Sequence, residues 1–199
     1  AFLDSEERRR FAAQSHEYLI EQTQHQRFSY TPSGGASAST WGSTTSYTER
    51  LVFNHPVKEL VVVSSKVQQP PSFNSTDWAS CWTFNGILDS TVDGAMLLKL
   101  NGNDRESARP ASYYSDMVPL MQHTRVSGEP IYCMPFALYP EQHQPSGTCN
   151  FSRIDNAQLE FKLAGGYGAS PAACDVSVYA VNYNVLKIVS GMGDLAYSN

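Results

Sequence analysis

The hydrophobic pattern is clearest in residues 157–163, where Ala, Leu, Phe and Leu alternate strictly with Gln, Glu and Lys. Because successive side chains of a strand point to opposite faces, this alternation predicts a strand with one face in the core and the other in water. Half-buried strands of this kind are typical of antiparallel sheets. The segment therefore indicates an antiparallel β protein.

Other apolar segments also predict strands. Residues 49–65 contain two apolar runs on either side of His55-Pro56, and since proline cannot donate to a sheet ladder, they predict two strands or one strand broken at Pro56. Residues 174–189 alternate in their first half and are largely apolar in their second half. This predicts a long last strand whose second half is buried on both faces. Shorter strands are predicted for residues 16–24, 96–100 and 131–138.

Helices and loops occupy the segments between the predicted strands. Asp4 followed by an acidic first turn predicts a short helix that continues to about Ala13. Residues 30–48 are rich in Gly, Ser and Thr, which predicts a long loop or a weakly paired edge. The sequence Asn-Gly-Asn-Asp at 101–104 predicts a turn, and residues 106–122 predict an irregular excursion with one helical turn.

Many short strands, frequent turn signals and almost no helix predict an all-β fold, specifically an eight-stranded antiparallel jelly-roll sandwich with short helices in loops. The chain has 199 residues, which fits one domain of this kind. Its composition is 41% hydrophobic and 17% charged, which excludes a disordered chain. No apolar run approaches the length of about 18 residues that a membrane-spanning helix needs.

The charge distribution argues against direct binding of nucleic acid. The formal net charge is -5, whereas proteins that neutralise phosphate backbones carry a basic surface. The one basic cluster, Arg8-Arg9-Arg10, follows two glutamates, so the local charges largely cancel. A solvated helix face is the simpler interpretation of this cluster.

The four cysteines, Cys81, Cys133, Cys149 and Cys174, are spaced too widely for the paired motifs of zinc sites. If oxidised, they could pair in three ways, and the sequence does not choose between them. No signal peptide opens the sequence, which favours free thiols in a reducing compartment.

No set of residues has the spacing of a catalytic, metal or cofactor site. The five histidines are scattered. Residues 145–148 lack the Gly-x-Ser-x-Gly pattern of a nucleophilic serine, and no helix is evident after the glycines of residues 165–168 to form a phosphate loop. The aspartates fall mostly in turns. We therefore expect no catalytic, metal-binding or cofactor-binding residues, no cofactor and no enzymatic activity.

Two sequons, at Asn74 and Asn150, are possible N-glycosylation sites if a secretory pathway handles the protein. Bulky aromatic residues are concentrated in residues 78–84, where Trp78 and Trp82 could anchor a core or a subunit contact. Trp41 lies in the predicted loop of residues 30–48.

Several longer strings resemble the major capsid proteins of nucleocytoplasmic large DNA viruses. They occur in that family's order along nearly the whole chain, and strings of this length are far more specific than a short motif. The matching strings are DSEERRRFA at 4–12 with HEYLIEQ at 16–22, FNHPVKEL at 53–60, LNGNDR at 100–105, HQPSGTCNFSRID at 143–155, YNVL at 183–186 and SGMG at 190–193.

The resemblance implies subunits with two tandem jelly rolls, about twice as long as this chain. Three subunits form a pseudo-hexagonal capsomer, and capsomers tile an icosahedral shell in the virion. We therefore expect residues 1–24 to be the end of the first roll, the linker and the start of the second, and residues 25–199 to be the C-terminal roll. The implied partners are two further copies, neighbouring capsomers and minor capsid proteins. Assembly is expected in the host cytoplasm, above an internal membrane that the protein does not span.

On this interpretation, Trp41, Trp78, Trp82 and the excursion of residues 106–122 are expected at interfaces or in outward-facing loops. Residues 145–155 are expected to fix the register of the following strand, with Arg153 and Asp155 as structural or interface residues. Arg153 could form a partly buried ion pair with Asp155 or another acid.

Two other functions use similar folds. A carbohydrate-binding jelly roll would need an aromatic platform, for which Trp41, Tyr47 and Trp78 are the candidates. A cupin-type enzyme would need a cluster of metal-binding His and Glu residues on neighbouring strands, and no spacing in the sequence supplies one.

Overall fold

The computed structural model describes residues 3–30, 45–66, 96–163, 174–189 and 192–197. These residues form ten strands and a few short helices. No helix in the described ranges is long and apolar enough to cross a membrane. The strands are β1 His16–Tyr30, β2 Thr45–Leu51, β3 Pro56–Lys66, β4 Met96–Leu100, β5 Asn103–Asp104, β6 Ile131–Pro135, β7 Cys149–Asn150, β8 Ala157–Leu163, β9 Cys174–Val189 and β10 Met192–Leu195.

The strands form two antiparallel sheets. The first has the order β1-β9-β3-β6, with β7 added to β3 and β10 added to β9. The second has the order β2-β8-β4-β5. One continuous cluster of buried side chains contains residues of both sheets, so the sheets pack face to face as a sandwich. The predicted all-β antiparallel fold is confirmed.

The core follows from alternation along the strands. In β8, Ala157, Leu159 and Phe161 are buried, whereas the residues between them are half-exposed. From the opposite sheet, Leu60 of β3 and Val178 of β9 are fully buried. Burial of one such side chain stabilises the fold by about 1.5–3 kcal/mol.

The prediction for the second half of β9 is right for its first residues and wrong for its last ones. Asn182, Tyr183 and Asn184 are buried on both faces, but exposure increases from there to Val189. The reason is length: β9 has 16 residues, and the longest described strands of the second sheet have seven. The end of β9 therefore extends past the facing sheet. It is also not the last strand, because β10 follows and pairs with it.

Three other boundaries differ from the prediction. β1 continues to Tyr30 because all of its residues pair with β9. Residues 45–48, expected in a long loop or a weakly paired edge, belong to β2, which pairs with β8 at the edge of the second sheet. β6 ends at Pro135 rather than at residue 138. Regular pairing with a neighbouring strand thus overrides weak local propensity.

The predicted helix at the start of the chain is α1, Ser5–Ala13. Asp4 caps it, with Glu7 completing a capping box, as the acidic first turn suggested. None of its residues is buried. A stack of Phe11 on His16, with ring centroids 4.1 Å apart, links the helix to β1.

Two connections between strands were also predicted. Asn101 and Gly102 have φ of 51° and 80°, as a tight turn between β4 and β5 requires, so this turn is confirmed. The excursion of residues 106–122 is more helical than expected. A π-helical turn, Tyr113–Met117, continues directly into α2, Val118–Gln122.

Candidate functional site

Five amide side chains line one part of the inward faces of β1 and β9. We call them the amide region: Gln22, Gln24 and Gln26 of β1, and Asn182 and Asn184 of β9. On these same faces, Val178 and Ala180 of β9 belong to the apolar core, so the amide region continues the interior of the sandwich with polar groups.

The glutamines of β1 connect the two sheets. Gln24 donates to the carbonyl oxygen of Asn54 at 2.6 Å and accepts from its N–H at 3.0 Å. Gln26 forms the same pair of bonds with the carbonyl of Arg50 and the N–H of Val52, both at 2.9 Å. Each amide thus acts as an additional peptide group for the chain at and beyond the end of β2.

The asparagines of β9 are buried and bonded. Asn182 accepts from Gln24 Nε2 at 3.1 Å. Asn184 donates to Gln22 Oε1 at 2.9 Å and to the carbonyl of Tyr197 at 2.8 Å, and it accepts from the N–H of Val185 at 2.7 Å. Because a buried amide without partners costs free energy, these bonds specify which segments meet here.

At the opposite end of the same strand pair, Asp175 is buried and forms an ion pair with Arg27. Ser29 also donates to Asp175, at 2.5 Å. Burial by itself raises the pKa of Asp175, but the hydrogen bonds from Arg27 and Ser29 and the charge of Arg27 outweigh it, so this pKa lies below its ordinary value.

Lys58 lies at a register shift in β3 and is only 4% exposed. Its ammonium group is 2.6 Å from Glu21 Oε1 and 5.7 Å from the centre of the Tyr183 ring. Its carbonyl accepts from the N–H groups of Phe136 and Ala137. Lys58 therefore joins β3, β1 and the loop after β6.

The segment of residues 145–155 packs against the start of β3. Phe151 is buried, and its N–H donates to the carbonyl of His55. Ser152 Oγ accepts from the N–H of His55 at 2.8 Å, and Asn150 caps the short turn Phe151–Arg153 through the N–H of Ser152. The sequon asparagine, Asn150, is exposed, and its glycosylation stays a prediction.

Arg153 and Asp155 are both exposed, and Arg153 has no ion pair with any residue that the structure describes. The expected partly buried pair is therefore not formed among the described residues. Asp155 instead contributes its backbone carbonyl, which accepts from Arg50 at 3.0 Å. The side chains point to solvent because Phe151 takes the inward position of this turn. A role of Arg153 and Asp155 at an interface stays a prediction.

An apolar surface lies on the excursion of residues 106–122. We call it the α2 face: Met117, Leu120 and Met121, which are 50%, 68% and 61% exposed. The spacing of i, i+3 and i+4 places them on one side of the helix. Tyr114 and Val118 of the same helical segment are buried in the core. The apolar side chains are thus exposed on a well-anchored element.

A group that the sequence analysis missed is formed by Glu59, His123 and Cys133. The carboxylate, imidazole and thiol ligand atoms all lie within 4.8 Å of one another, and all three side chains are largely buried. The histidines and cysteines were interpreted as scattered because these residues are far apart in the chain. Only the pairing of β3 with β6 and the end of α2 bring them together.

Several predicted residues lie outside the described ranges: Trp41, Asn74, Trp78, Cys81, Trp82 and the glycine loop of residues 165–168. Cys133 and Cys149 are free thiols. Tyr47 packs between Tyr30 and Phe161, with ring centroids 4.4 and 6.0 Å away, so it supports the core rather than a carbohydrate platform.

Comparison with known proteins agrees with this architecture. The sequence model of the family described as "Large eukaryotic DNA virus major capsid protein" matches residues 7–194. The major capsid protein of Pyramimonas orientalis virus is 39% identical, with 100% of this chain and 47% of that protein aligned. That of Paramecium bursaria Chlorella virus 1 is 37% identical, with 100% and 52% aligned. The chain therefore spans about half the length of the curated relatives it matches.

Solved structures give the same result. The PBCV-1 virus capsid superposes with a TM-score of 0.75 at 35% identity, covering 100% of this chain and 55% of that one. The Faustovirus major capsid protein superposes with a TM-score of 0.59 at 15% identity, covering 86% of this chain and 33% of that one. At that identity the likeness concerns the fold alone.

Proposed function

This chain belongs to the family of large eukaryotic DNA virus major capsid proteins, and we propose that it forms part of the outer icosahedral shell of such a virus, without catalytic activity. The subunit assembles as a homotrimer, a capsomer of pseudo-hexagonal outline that contacts neighbouring capsomers and minor capsid proteins. Assembly takes place in the host cytoplasm, and the protein lies above an internal membrane without spanning it.

The α2 face carries the assembly part of this proposal. Exposed apolar side chains that form one patch are typical of protein interfaces. Here they belong to a helix fixed by Tyr114, which donates to Glu106 at 3.1 Å, and by the bond of Thr124 to Glu141 just after α2. Little conformational entropy is then lost when a partner binds, which favours association.

The division of the chain is part of the same proposal. Residues 1–24 comprise the end of a preceding jelly roll, the linker and the start of this roll, and residues 25–199 form the C-terminal roll. In support, α1 has no buried residue, and the start of β1 exposes Tyr18 and Leu19. The chain also spans about half the length of its relatives.

The double variant Leu120→Ser/Met121→Ser tests the assembly proposal in the full-length subunit. Light scattering of the wild-type subunit should give the mass of a trimer, or of a larger assembly built from trimers. The variant should remain folded and lose contacts between subunits, within or between trimers. A matched control is Val52→Ser, because Val52 is as exposed as Leu120, at 68%, but lies outside the α2 face.

Either of two results would contradict the proposal. A wild-type subunit that stays monomeric at all concentrations would show that it does not form the proposed trimeric capsomer. Assembly of the double variant equal to that of both wild type and Val52→Ser would show that the α2 face takes no part in it.

A further inference from the structure

The geometry of one buried cluster points to a metal site. We propose that Glu59, His123 and Cys133 bind a divalent transition-metal ion of the zinc type. The ion would cross-link β3, β6 and the end of α2.

The strands place two of the three ligands side by side. In the antiparallel pair of β3 and β6, Val61 lies opposite Cys133 and Glu59 lies opposite Pro135. Side chains two residues apart share a face of a sheet, so Glu59 and Cys133 are diagonal neighbours. Because successive side chains of a strand point to opposite faces, they lie on the face of the sheet opposite to Leu60.

The third ligand comes from the excursion. His123 follows α2 directly, and its N–H donates to the carbonyl of Pro119 at 2.9 Å. The next residue, Thr124, donates to Glu141 through its N–H at 2.8 Å and through its hydroxyl. The backbone on both sides of His123 is therefore fixed, and its ring is directed at Glu59, with Nε2 2.7 Å from Oε1.

The polar atoms of the cluster have few partners. Glu59 is 7% exposed, and its Oε1 lies 2.7 Å from His123 Nε2, with no partner outside the cluster among the described residues. His123 Nδ1 and the side-chain oxygen of the neighbouring Gln122 are also buried without a hydrogen-bond partner among the described residues. Buried polar atoms usually find a partner, so such a concentration calls for a ligand.

The spacing suits a small ion. Zinc binds nitrogen, oxygen and sulfur ligands at about 2.0–2.3 Å, so its tetrahedral ligands lie roughly 3.3–3.6 Å apart. The three ligand atoms here all lie within 4.8 Å of one another, and the nitrogen of His123 is 2.7 Å from the oxygen of Glu59. Small side-chain rotations would therefore bring them to a common ion. A cavity of about 100 Å³ adjoins the cluster at Cys133 and is also lined by Gln122, so a water or the Gln122 oxygen is available as fourth ligand.

The charges and the ligand types favour a zinc-type ion over Mg²⁺ and Ca²⁺. A glutamate and a cysteine thiolate carry two negative charges, which a divalent ion neutralises in this buried place, whereas Mg²⁺ and Ca²⁺ prefer oxygen ligands alone. The nearest ammonium group on β3, that of Lys58, is paired with Glu21.

Titration behaviour separates this site from a catalytic cysteine. Burial and the neighbouring Glu59 raise the pKa of Cys133 to about 12, the reverse of an activated nucleophile. Burial likewise raises the pKa of Glu59. A bound cation would reverse both effects, because it stabilises the charged form of each ligand.

Cobalt titration of the full-length subunit, freed of metal by chelator, tests the site. The wild type should bind one Co²⁺ per chain with a thiolate-to-cobalt charge-transfer band, and Zn²⁺ should displace it. Cys133→Ser should lose the band, and Glu59→Gln and His123→Gln should weaken binding at least about tenfold. The matched controls Cys149→Ser and His143→Gln should behave as wild type, because neither residue belongs to the cluster.

A second measurement needs no variant. Zn²⁺ at about a hundred times its Kd should raise the melting temperature by roughly 5 °C. It should also slow alkylation of Cys133 and leave Cys149 unchanged, as measured by peptide mass spectrometry. The proposal is overturned by a wild type without a thiolate band, by a band that survives Cys133→Ser, or by zinc that protects both thiols equally or neither.

Discussion

The two parts of the sandwich interior differ in the kind of interaction that holds them. In the apolar core, Phe161, Leu60 and Val178 are buried almost completely and belong to one hydrophobic cluster, which is held without directional bonds. In the amide region, the side chains are bonded to particular backbone groups. Strand β9 contributes to both parts, so they share one backbone.

This difference separates stability from specificity. Hydrophobic burial contributes most of the favourable free energy, but many apolar residues of similar volume could fill the same space. A buried amide contributes little net free energy, yet it is costly when its partner is missing. The amide region therefore fixes which segments meet, and the apolar core supplies the driving force.

The largest effect should come from the apolar core. We expect Phe161→Ala to reduce the free energy of unfolding by about 3–5 kcal/mol, because it leaves a cavity beside Tyr30 and Tyr47. Urea unfolding measures this loss, with Phe11→Ala as a control because Phe11 is 46% exposed. A loss below about 1 kcal/mol would show that the core tolerates the cavity by collapsing into it.

The amide region should respond less. Asn184→Ala should cost about 1–3 kcal/mol, because the carbonyl of Tyr197 and the N–H of Val185 lose their partner. Hydrogen exchange should become faster at the Tyr197 amide, which also donates to Asn184. The exposed Asn54, whose side chain makes no bond within the described residues, is the control. Equal exchange in Asn184→Ala and Asn54→Ala would contradict the assigned role.

Gln26 allows donation and acceptance of hydrogen bonds in the amide region to be tested separately. Gln26→Ala should cost about 1 kcal/mol. Gln26→Glu should cost more at neutral pH, because a carboxylate can accept from the N–H of Val52 but cannot donate to the carbonyl of Arg50. Unfolding at low pH, where the new side chain is protonated, should remove much of the difference. If pH has no influence, the side-chain bonds are not the cause.

The stability of the fold is expected to depend on pH through Asp175, whose charged carboxylate is largely buried. Because its folded pKa lies below the ordinary value of 3.8, the carboxylate stabilises the fold above about pH 4, and this contribution is lost as pH falls through the folded pKa. Asp175→Asn should therefore lower stability at neutral pH and flatten the acid side of the stability curve. If the stability of Asp175→Asn falls with decreasing pH as steeply as that of the wild type, other carboxylates cause the acid destabilisation.

The smallest effect is expected at Arg153. Since its side chain is exposed and unpaired within the described residues, Arg153→Ala should change the free energy of unfolding by no more than about 0.5 kcal/mol. A larger loss in the monomer would revive the structural role that the sequence suggested. A loss confined to the assembled particle would place Arg153 at an interface.

Local patterns predicted local structure well. The alternation in β8, the cap of α1 and the turn at Asn101 and Gly102 depend on neighbouring residues, and all three are confirmed. The same reasoning was wrong about the end of β9, since burial there depends on how far the facing sheet extends. It also missed β10, whose four residues are all exposed and carry no apolar alternation.

The candidate sites were less accessible to sequence reasoning. The sequence predicted an irregular excursion with one helical turn in residues 106–122, and only the burial of Tyr114 and Val118 shows which apolar side chains there remain exposed. For Glu59, His123 and Cys133 no local signal existed, because the three residues come from separate elements.

By itself, then, the sequence determined the all-β antiparallel class, the individual turns and caps, and the capsid family through its long matching strings. The tertiary structure alone decided which amides bond across β1 and β9, where Arg153 points, and which carboxylate, imidazole and thiol meet. The physical reason is the separation along the chain of the residues that interact. Alternation and capping are set by residues within a few positions of one another, whereas hydrogen-bond partners and ligand sets depend on strand register across the whole chain.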